Sequence, residues 1–294
     1  MRKSGKLTLV RIAAAFAAAG MMVSAQAALV PSWDYEVVTI FNGTNTFTSG
    51  TGSQIETQRQ VSWGDPAGNI FAQPAGGRSG ISISDGDGAP PGGNDTTVNP
   101  NTGNVVTNDL TNNIGLGAWI THHNNPISGA FATLRTSQID SSLSLWAVPP
   151  GNTGGLPDTG PSTLTFTVFF AETPNATPCT IASSPTPCND IFALNQAQAF
   201  NQQFTYNGDT YFVSIFPIVG AGLGSFTQLP AAACADAGAA PNCIGFTTVE
   251  GQNTTIRFGF AITAQPISIP EPGTLALLGG SLFGLAALRR RRKA

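Results

Sequence analysis

Ser162-Thr163-Leu164-Thr165-Phe166-Thr167-Val168-Phe169-Phe170 decides the fold class of this 294-residue chain. Leu164, Phe166, Val168 and Phe170 fall on one face of an extended segment, while Thr163, Thr165 and Thr167 fall on the other. That is the period of a half-buried antiparallel strand. Ile256, Phe258, Phe260 and Ile262 repeat it late in the chain. In Phe204-Thr205-Tyr206-Asn207-Gly208-Asp209-Thr210-Tyr211-Phe212, Asn-Gly separates two aromatic-rich runs, and this pair supplies the positive φ angles of a tight hairpin turn. Val249-Glu250-Gly251-Gln252-Asn253 is a second expected turn.

Further strands are expected around Tyr35 to Phe41, Ile55 to Trp63, Ala118 to Thr121 and Leu143 to Val148. The Gly, Pro and Asn-rich stretches between them, such as Pro149-Pro150-Gly151-Asn152-Thr153-Gly154-Gly155, are turn and loop material. No helix of any length is expected between the termini, and no repeat of fixed period is visible. Many short strands without a repeat predict an all-β, antiparallel β-sandwich, jelly-roll-like, over residues 28–269, with a β-helix as the alternative.

Charge divides the chain into the same parts. Nine of the 13 Lys and Arg residues lie at the two ends, leaving only Arg59, Arg78, Arg135 and Arg257 between Ala28 and Ile269. Against fifteen acidic residues, those four give that segment a formal net charge of −11. No basic patch exists to release phosphate counterions, so nucleic acid is excluded as a partner.

The amino end reads as an export signal. Arg2, Lys3, Lys6 and Arg11 precede the apolar run Ile12 to Val23, and Ala25-Gln26-Ala27 supplies the small-x-small site read by signal peptidase, with cleavage before Ala28. At the carboxyl end, Gly273 to Leu288 is a sixteen-residue run without charge, stopped by Arg289, Arg290, Arg291, Arg292 and Lys293. A helix of that length reaches about 24 Å, short of the roughly 30 Å hydrocarbon core but able to span it, with the basic cluster held inside. Pro270 and Pro272 bracket Glu271 and disfavour helix upstream of the run.

These residues carry a resemblance. Pro270-Glu271-Pro272-Gly273-Thr274, the apolar run and the four arginines are similar, in that order, to the PEP-CTERM sorting signal of Gram-negative bacteria. The resemblance implies an exosortase that cuts near Pro270-Glu271-Pro272 and passes the protein to the cell surface or an exopolysaccharide matrix. It covers about the last twenty-five residues. The implied division is a signal peptide over 1–27, a surface domain over 28–269 and a sorting signal over 270–294 with one transmembrane helix, anchored transiently in the inner membrane. Thr121-His122-His123-Asn124 further resembles the motif naming the THxN family of PEP-CTERM proteins, which implies an exported β-rich domain and names no reaction.

Cys179, Cys188, Cys234 and Cys243 form two pairs at equal spacing, both expected in Pro, Ala and Ser-rich loops. The two-to-four-residue spacing of a structural zinc site is missing, and an exported chain meets oxidising conditions. Local bridges Cys179–Cys188 and Cys234–Cys243 are therefore expected among the three connectivities.

Catalytic chemistry has few carriers. His122 and His123 are the only histidines, and neighbours on a strand point to opposite faces, so both rings cannot ligate one ion; one ring joined by carboxylates remains open. The simpler expectation is that one imidazole and the Asn amides bond the backbone where the strand turns before Pro126. Asp85-Gly86-Asp87-Gly88 hints at a calcium loop, yet Ala89 stands where a third ligand belongs. No Gly-x-Ser-x-Gly elbow is present, and a Ser-His-Asp arrangement would have to use one of the two histidines. No catalytic residue, metal ligand or cofactor is expected.

Two classes of function follow, with a third behind them. The first is a structural or interaction protein of the surface or exopolysaccharide matrix. The second is a carbohydrate-binding module or adhesin presenting Trp33, Trp63, Trp119 or Trp146 to sugars, although four Trp in such a domain read first as core. A glycan hydrolase would need two carboxylates facing each other across a cleft.

Overall fold

The computed structural model describes residues 28–65, 70, 77–85, 98–159, 163–173, 179, 188–219, 222–223 and 227–268. The signal peptide, Pro270-Glu271-Pro272, the apolar run and the basic end all lie outside the described residues. Among the described residues no helix is long and apolar enough to cross a membrane.

In chain order the elements are β1 (Ser32–Phe47), β2 (Ser53–Glu56), β3 (Gln60–Gly64), β4 (Arg78–Ser84), β5 (Asn101–Val106), β6 (Gly115–His123), β7 (Leu134–Val148) and β8 (Leu164–Ala171). They continue with β9 (Asp190–Leu194), α1 (Gln196–Ala199), β10 (Gln202–Tyr206), β11 (Asp209–Val219), β12 (Gly222–Leu223), β13 (Thr227–Gln228), α2 (Ala231–Ala237), β14 (Ile244–Thr248) and β15 (Asn253–Thr263). Two sheets result. One runs β13-β14-β9-β8-β7-β1-β5; the other runs β10-β11-β15-β6-β4-β3-β2, with β12 beside β11. Every pairing between these strands is antiparallel.

Alternation sets which side chains enter the core. On β1, Trp33, Tyr35, Val37 and Phe41 are buried, and Tyr35, Val37 and Phe41 stand opposite Leu145, Leu143 and Ile139 of β7 on the same face. Phe166, Val168 and Phe170 of β8 extend that face, as the opening stretch predicts. From the other sheet, Val61, Trp63, Ile81, Ile83 and Ala118 join them in one apolar cluster, so the sheets pack face to face. A second cluster lies further along the same interface, where Trp33 meets Phe204, Tyr206 and Tyr211 edge-on. Each such large side chain contributes about 1.5 to 3 kcal/mol by leaving water.

The Asn207-Gly208 hairpin joins β10 to β11 with φ of 50° and 88°, the left-handed pair that this dipeptide tolerates. Between β14 and β15 the expected turn is present, with Gly251 at φ 73°.

Two expectations need correction. Ile55 to Trp63 is not one strand but a hairpin, β2 to β3, because the Thr57 hydroxyl accepts the backbone N–H groups of Arg59 and Gln60 at 3.1 and 3.0 Å and folds the chain back. The stretch before Cys234 is helical rather than loop. Pro230 precedes it without needing to donate, its alanines favour helix, and Gly238 closes it in the left-handed conformation at φ 77°. α2 buries Ala233, Cys234 and Ala237 against Ala171, Ile191 and Ala193 of β8 and β9.

Candidate functional site

β6 is a central strand of its sheet, flanked by β15 and β4, and its last residues carry Thr121-His122-His123-Asn124 as far as the strand end. Alternation sends the neighbours to opposite faces. His123 Nε2 pairs with Ser82 Oγ of β4 at 2.9 Å, and Thr121 Oγ1 with Thr255 Oγ1 of β15 at 2.9 Å, both on the face away from the opposite sheet. His122 points between the sheets, where its Nδ1 meets Thr248 Oγ1 of β14 at 2.7 Å. Asn124, on the same face, donates from Nδ2 to the Thr248 carbonyl at 3.3 Å. Each imidazole thus meets a side-chain hydroxyl, His122 that of Thr248 and His123 that of Ser82. Asn124 and Asn125 do bond the backbone, Asn125 through the Arg78 carbonyl at 2.8 Å.

Across the interface, two carboxylates approach His122. Asp190 opens β9, and Glu172 follows the last residue of β8, which places both at the same end of adjacent strands. Ligand-type atoms of His122, Glu172 and Asp190 all lie within 4.8 Å of one another. Each group is anchored on its far side. Asp190 Oδ1 accepts the Thr173 N–H at 2.7 Å, Glu172 Oε2 accepts the Trp63 indole N–H at 3.1 Å, and Thr248 holds the imidazole. His122 Nε2, Asp190 Oδ2 and Glu172 Oε1 are sealed from solvent and have no hydrogen-bond partner, and Asn124 Oδ1 is in the same state. Glu172 is half-buried as a residue, but its carboxylate end is the part turned inward. Aromatic rings wall the cluster, Trp63 stacked over His122 at 6.4 Å and Phe170 edge-on at 5.0 Å.

Burial governs the electrostatics. It pulls the His122 imidazole down to about 3, helped by the neighbouring charge of His123, so the ring is neutral at neutral pH. The 3.9 Å separation between His122 Nε2 and Asp190 Oδ2 is therefore no ion pair. Burial pushes Asp190 up to about 7, against the lowering effect of the Thr173 hydrogen bonds and with the Glu250 charge adding to the rise. Glu172 is raised well above the carboxylate range by burial first, then by the charges of Asp190 and Glu250. Desolvation also lowers His123, to about 4.

Other sequence candidates fall elsewhere. Asp85 is held by Arg59 through two contacts of 2.6 Å and accepts the Asn99 N–H at 2.8 Å, so its carboxylate is engaged; residues 86–88 of that motif lie outside the described residues. Both cysteine pairs are bridged, Cys179 to Cys188 and Cys234 to Cys243. Ala28 is exposed at the first described position, and Ala25 and Ala27 lie outside. Trp33 and Trp63 are fully buried, Trp146 nearly so, and Trp119 is half-buried with the Arg257 guanidinium 5.2 Å over its ring. A cavity of about 70 Å³ between the sheets is apolar, and its polar lining side chains, Thr39 and Ser141, bond each other at 3.1 Å.

Glu172 and Asp190 were not singled out by sequence reading. Each is a lone acid at the edge of an apolar strand, Phe170-Ala171-Glu172 and Asp190-Ile191-Phe192, and that exception to strand patterning is the only trace either leaves.

The described residues form an all-β fold of two packed antiparallel sheets. Compared with known families, the chain matches the PEP-CTERM protein-sorting motif at residues 268–292. That motif implies processing by an exosortase and export toward the cell surface of a Gram-negative bacterium. No curated protein matches the chain.

Proposed function

We propose that this chain is an exported, exosortase-processed protein of the cell surface or exopolysaccharide matrix, with a structural or interaction role and no catalytic activity. The observation that carries this reading is the sorting motif at residues 268–292 directly after the last strand of the sheets. On this reading residues 1–27 are the signal peptide, 28–269 a jelly-roll-like sandwich of the THxN kind, and 270–294 a transient anchor in the inner membrane. Signal peptidase, exosortase and matrix exopolysaccharide are its partners in turn.

The side chains favour this over the alternatives. Stacking platforms for sugars need exposed aromatic faces, whereas three Trp are core and Trp119 is covered by Arg257. A hydrolase needs its two acids open to substrate, whereas the facing atoms of Glu172 and Asp190 are sealed from water.

Cell fractionation tests the sorting half of the proposal. Replacing Pro270-Glu271-Pro272 with alanines should hold the protein in the inner membrane, while the wild type reaches the surface or matrix. Equal surface delivery of both forms contradicts exosortase sorting.

A further inference from the structure

We propose that His122, Glu172 and Asp190 bind one divalent transition ion, of the zinc or manganese kind, between the two sheets. The three residues come from different strands of facing sheets, β6 on one side and the ends of β8 and β9 on the other. Convergence alone is weak, because acidic clusters are common. The second observation is the state of the atoms that converge. His122 and Asp190 are 2 % and 0 % exposed, their facing atoms Nε2 and Oδ2 have no partner, and one oxygen of Glu172 is likewise buried without one.

Each residue is also tethered as a ligand is tethered. The 2.7 Å contact between His122 Nδ1 and Thr248 Oγ1 orients the ring, and in the tautomer whose Nδ1–H donates to that hydroxyl, Nε2 carries the lone pair that an ion needs. The Trp63 indole fixes the Glu172 carboxylate, and the Thr173 N–H fixes that of Asp190. Such outer hydrogen bonds, with the other atom of each group left for an ion, are the usual support of a metal centre.

Distance separates an ion from a direct contact. His122 Nε2 and Asp190 Oδ2 are 3.9 Å apart, too far for a hydrogen bond. Two ligands bound at about 2.1 Å to one ion stand roughly 3.4 Å apart in a tetrahedron and up to about 4.2 Å when opposed, so 3.9 Å falls within the span of a shared ion. The widest pair, at up to 4.8 Å, requires a small inward movement of one side chain. One imidazole with two carboxylates is a borderline donor set, suited to zinc or manganese; calcium and magnesium prefer six or more oxygens or retained water. Asn124 also turns to Thr248, donating from Nδ2 to its carbonyl, and its Oδ1 is buried without a partner. The ion's double charge offsets Glu172 and Asp190, which otherwise crowd together beside Glu250 and against the rings of Trp63 and Phe170. Its role is to pin one sheet to the other at this end of the fold.

The test uses the exported protein, purified without chelator. Elemental analysis should find close to one equivalent of zinc or manganese per chain. After removal of the ion by unfolding in chelator and refolding, zinc or manganese should raise the thermal midpoint by several degrees, and calcium or magnesium should not. His122→Gln and Asp190→Asn should each lower the bound ion at least tenfold. Should either variant fail to fold, cobalt added to the metal-free wild type decides the matter, because imidazole and carboxylate ligation gives visible d–d bands that zinc abolishes. A metal-free wild type whose midpoint no divalent ion moves and whose cobalt spectrum is that of the hydrated ion overturns the proposal. A midpoint shift with calcium alone, or ion content unchanged in a folded His122→Gln, overturns it equally.

Discussion

His122 of one sheet and Asp190 of the other face each other at 3.9 Å with no hydrogen bond between them, while His123, one residue along, is closed in a 2.9 Å pair with Ser82. Adjacent rings on one strand thus have different duties. His123→Ala loses a buried hydrogen bond within its own sheet and should cost about 1 to 3 kcal/mol in denaturant unfolding. It should leave the His122 cluster intact. Ser82→Ala should cost a similar amount, and the double variant less than the sum, since each partner is already lost in the other. Full additivity contradicts a direct pair.

Arg59 and Asp85 are paired with their side chains 3 % and 6 % exposed. Removing one member of a buried pair strands the other charge, at a cost of about 3 to 5 kcal/mol. Asp85→Ala should therefore be among the most destabilising single changes in this acidic domain. A loss below about 1 kcal/mol, the value of an exposed pair, contradicts the burial.

The two bridges close short loops, each with a sequence separation of nine. Loops of that size contribute on the order of 2 to 3 kcal/mol in the chain-entropy estimate. Peptide mapping of the non-reduced protein should recover Cys179 linked to Cys188 and Cys234 linked to Cys243. Reduction should lower the thermal midpoint, and Cys234→Ser with Cys243→Ser should reproduce the part due to the bridge that ties α2 to the residue before β14. A Cys188 to Cys234 link contradicts the assignment.

Much of the fold is legible because alternation and turn chemistry are local. The β8 stretch follows from alternation, the Asn207-Gly208 hairpin and the turn at Gly251 from their turn residues, and the cysteine pairs from proximity in sequence together with an oxidising compartment. The Thr57 turn was hidden because one hydroxyl breaks an otherwise continuous strand pattern. Helix α2 was hidden because seven residues carry too little periodicity to outweigh their Pro and Gly flanks. The site was half legible. His122 stands out by rarity and by the opposed faces of its strand, but Glu172 and Asp190 lie 50 and 68 positions away in sequence, and only sheet pairing of β8 with β9 across from β6 brings them in.

Asp109 organises the turn after β5. Its carboxylate accepts the N–H groups of Thr111, Asn112 and Asn113 at 2.8, 3.0 and 3.2 Å, and these bonds hold it well below the usual carboxylate range. A lowered folded value means that the contribution is complete above the unfolded carboxylate pKa of about 3.9 and is lost as pH falls through the folded one. Asp109→Ala should lower the thermal midpoint at pH 7, and the gap from wild type should close as pH drops below about 4. A gap that stays constant down to pH 2 contradicts this role.

We propose that the tail, which matches the sorting motif at residues 268–292, is removed on the way out. The motif at residues 268–292 places Pro270-Glu271-Pro272 between the last described strand and the apolar run, where a cut would remove that run and the basic end. Intact-mass measurement of the protein recovered from the cell surface or medium tests this directly. The account predicts a chain that begins at Ala28 and lacks most or all of Gly273 to Ala294. A surface form that still carries Arg289 to Lys293 contradicts it and makes the tail a permanent anchor.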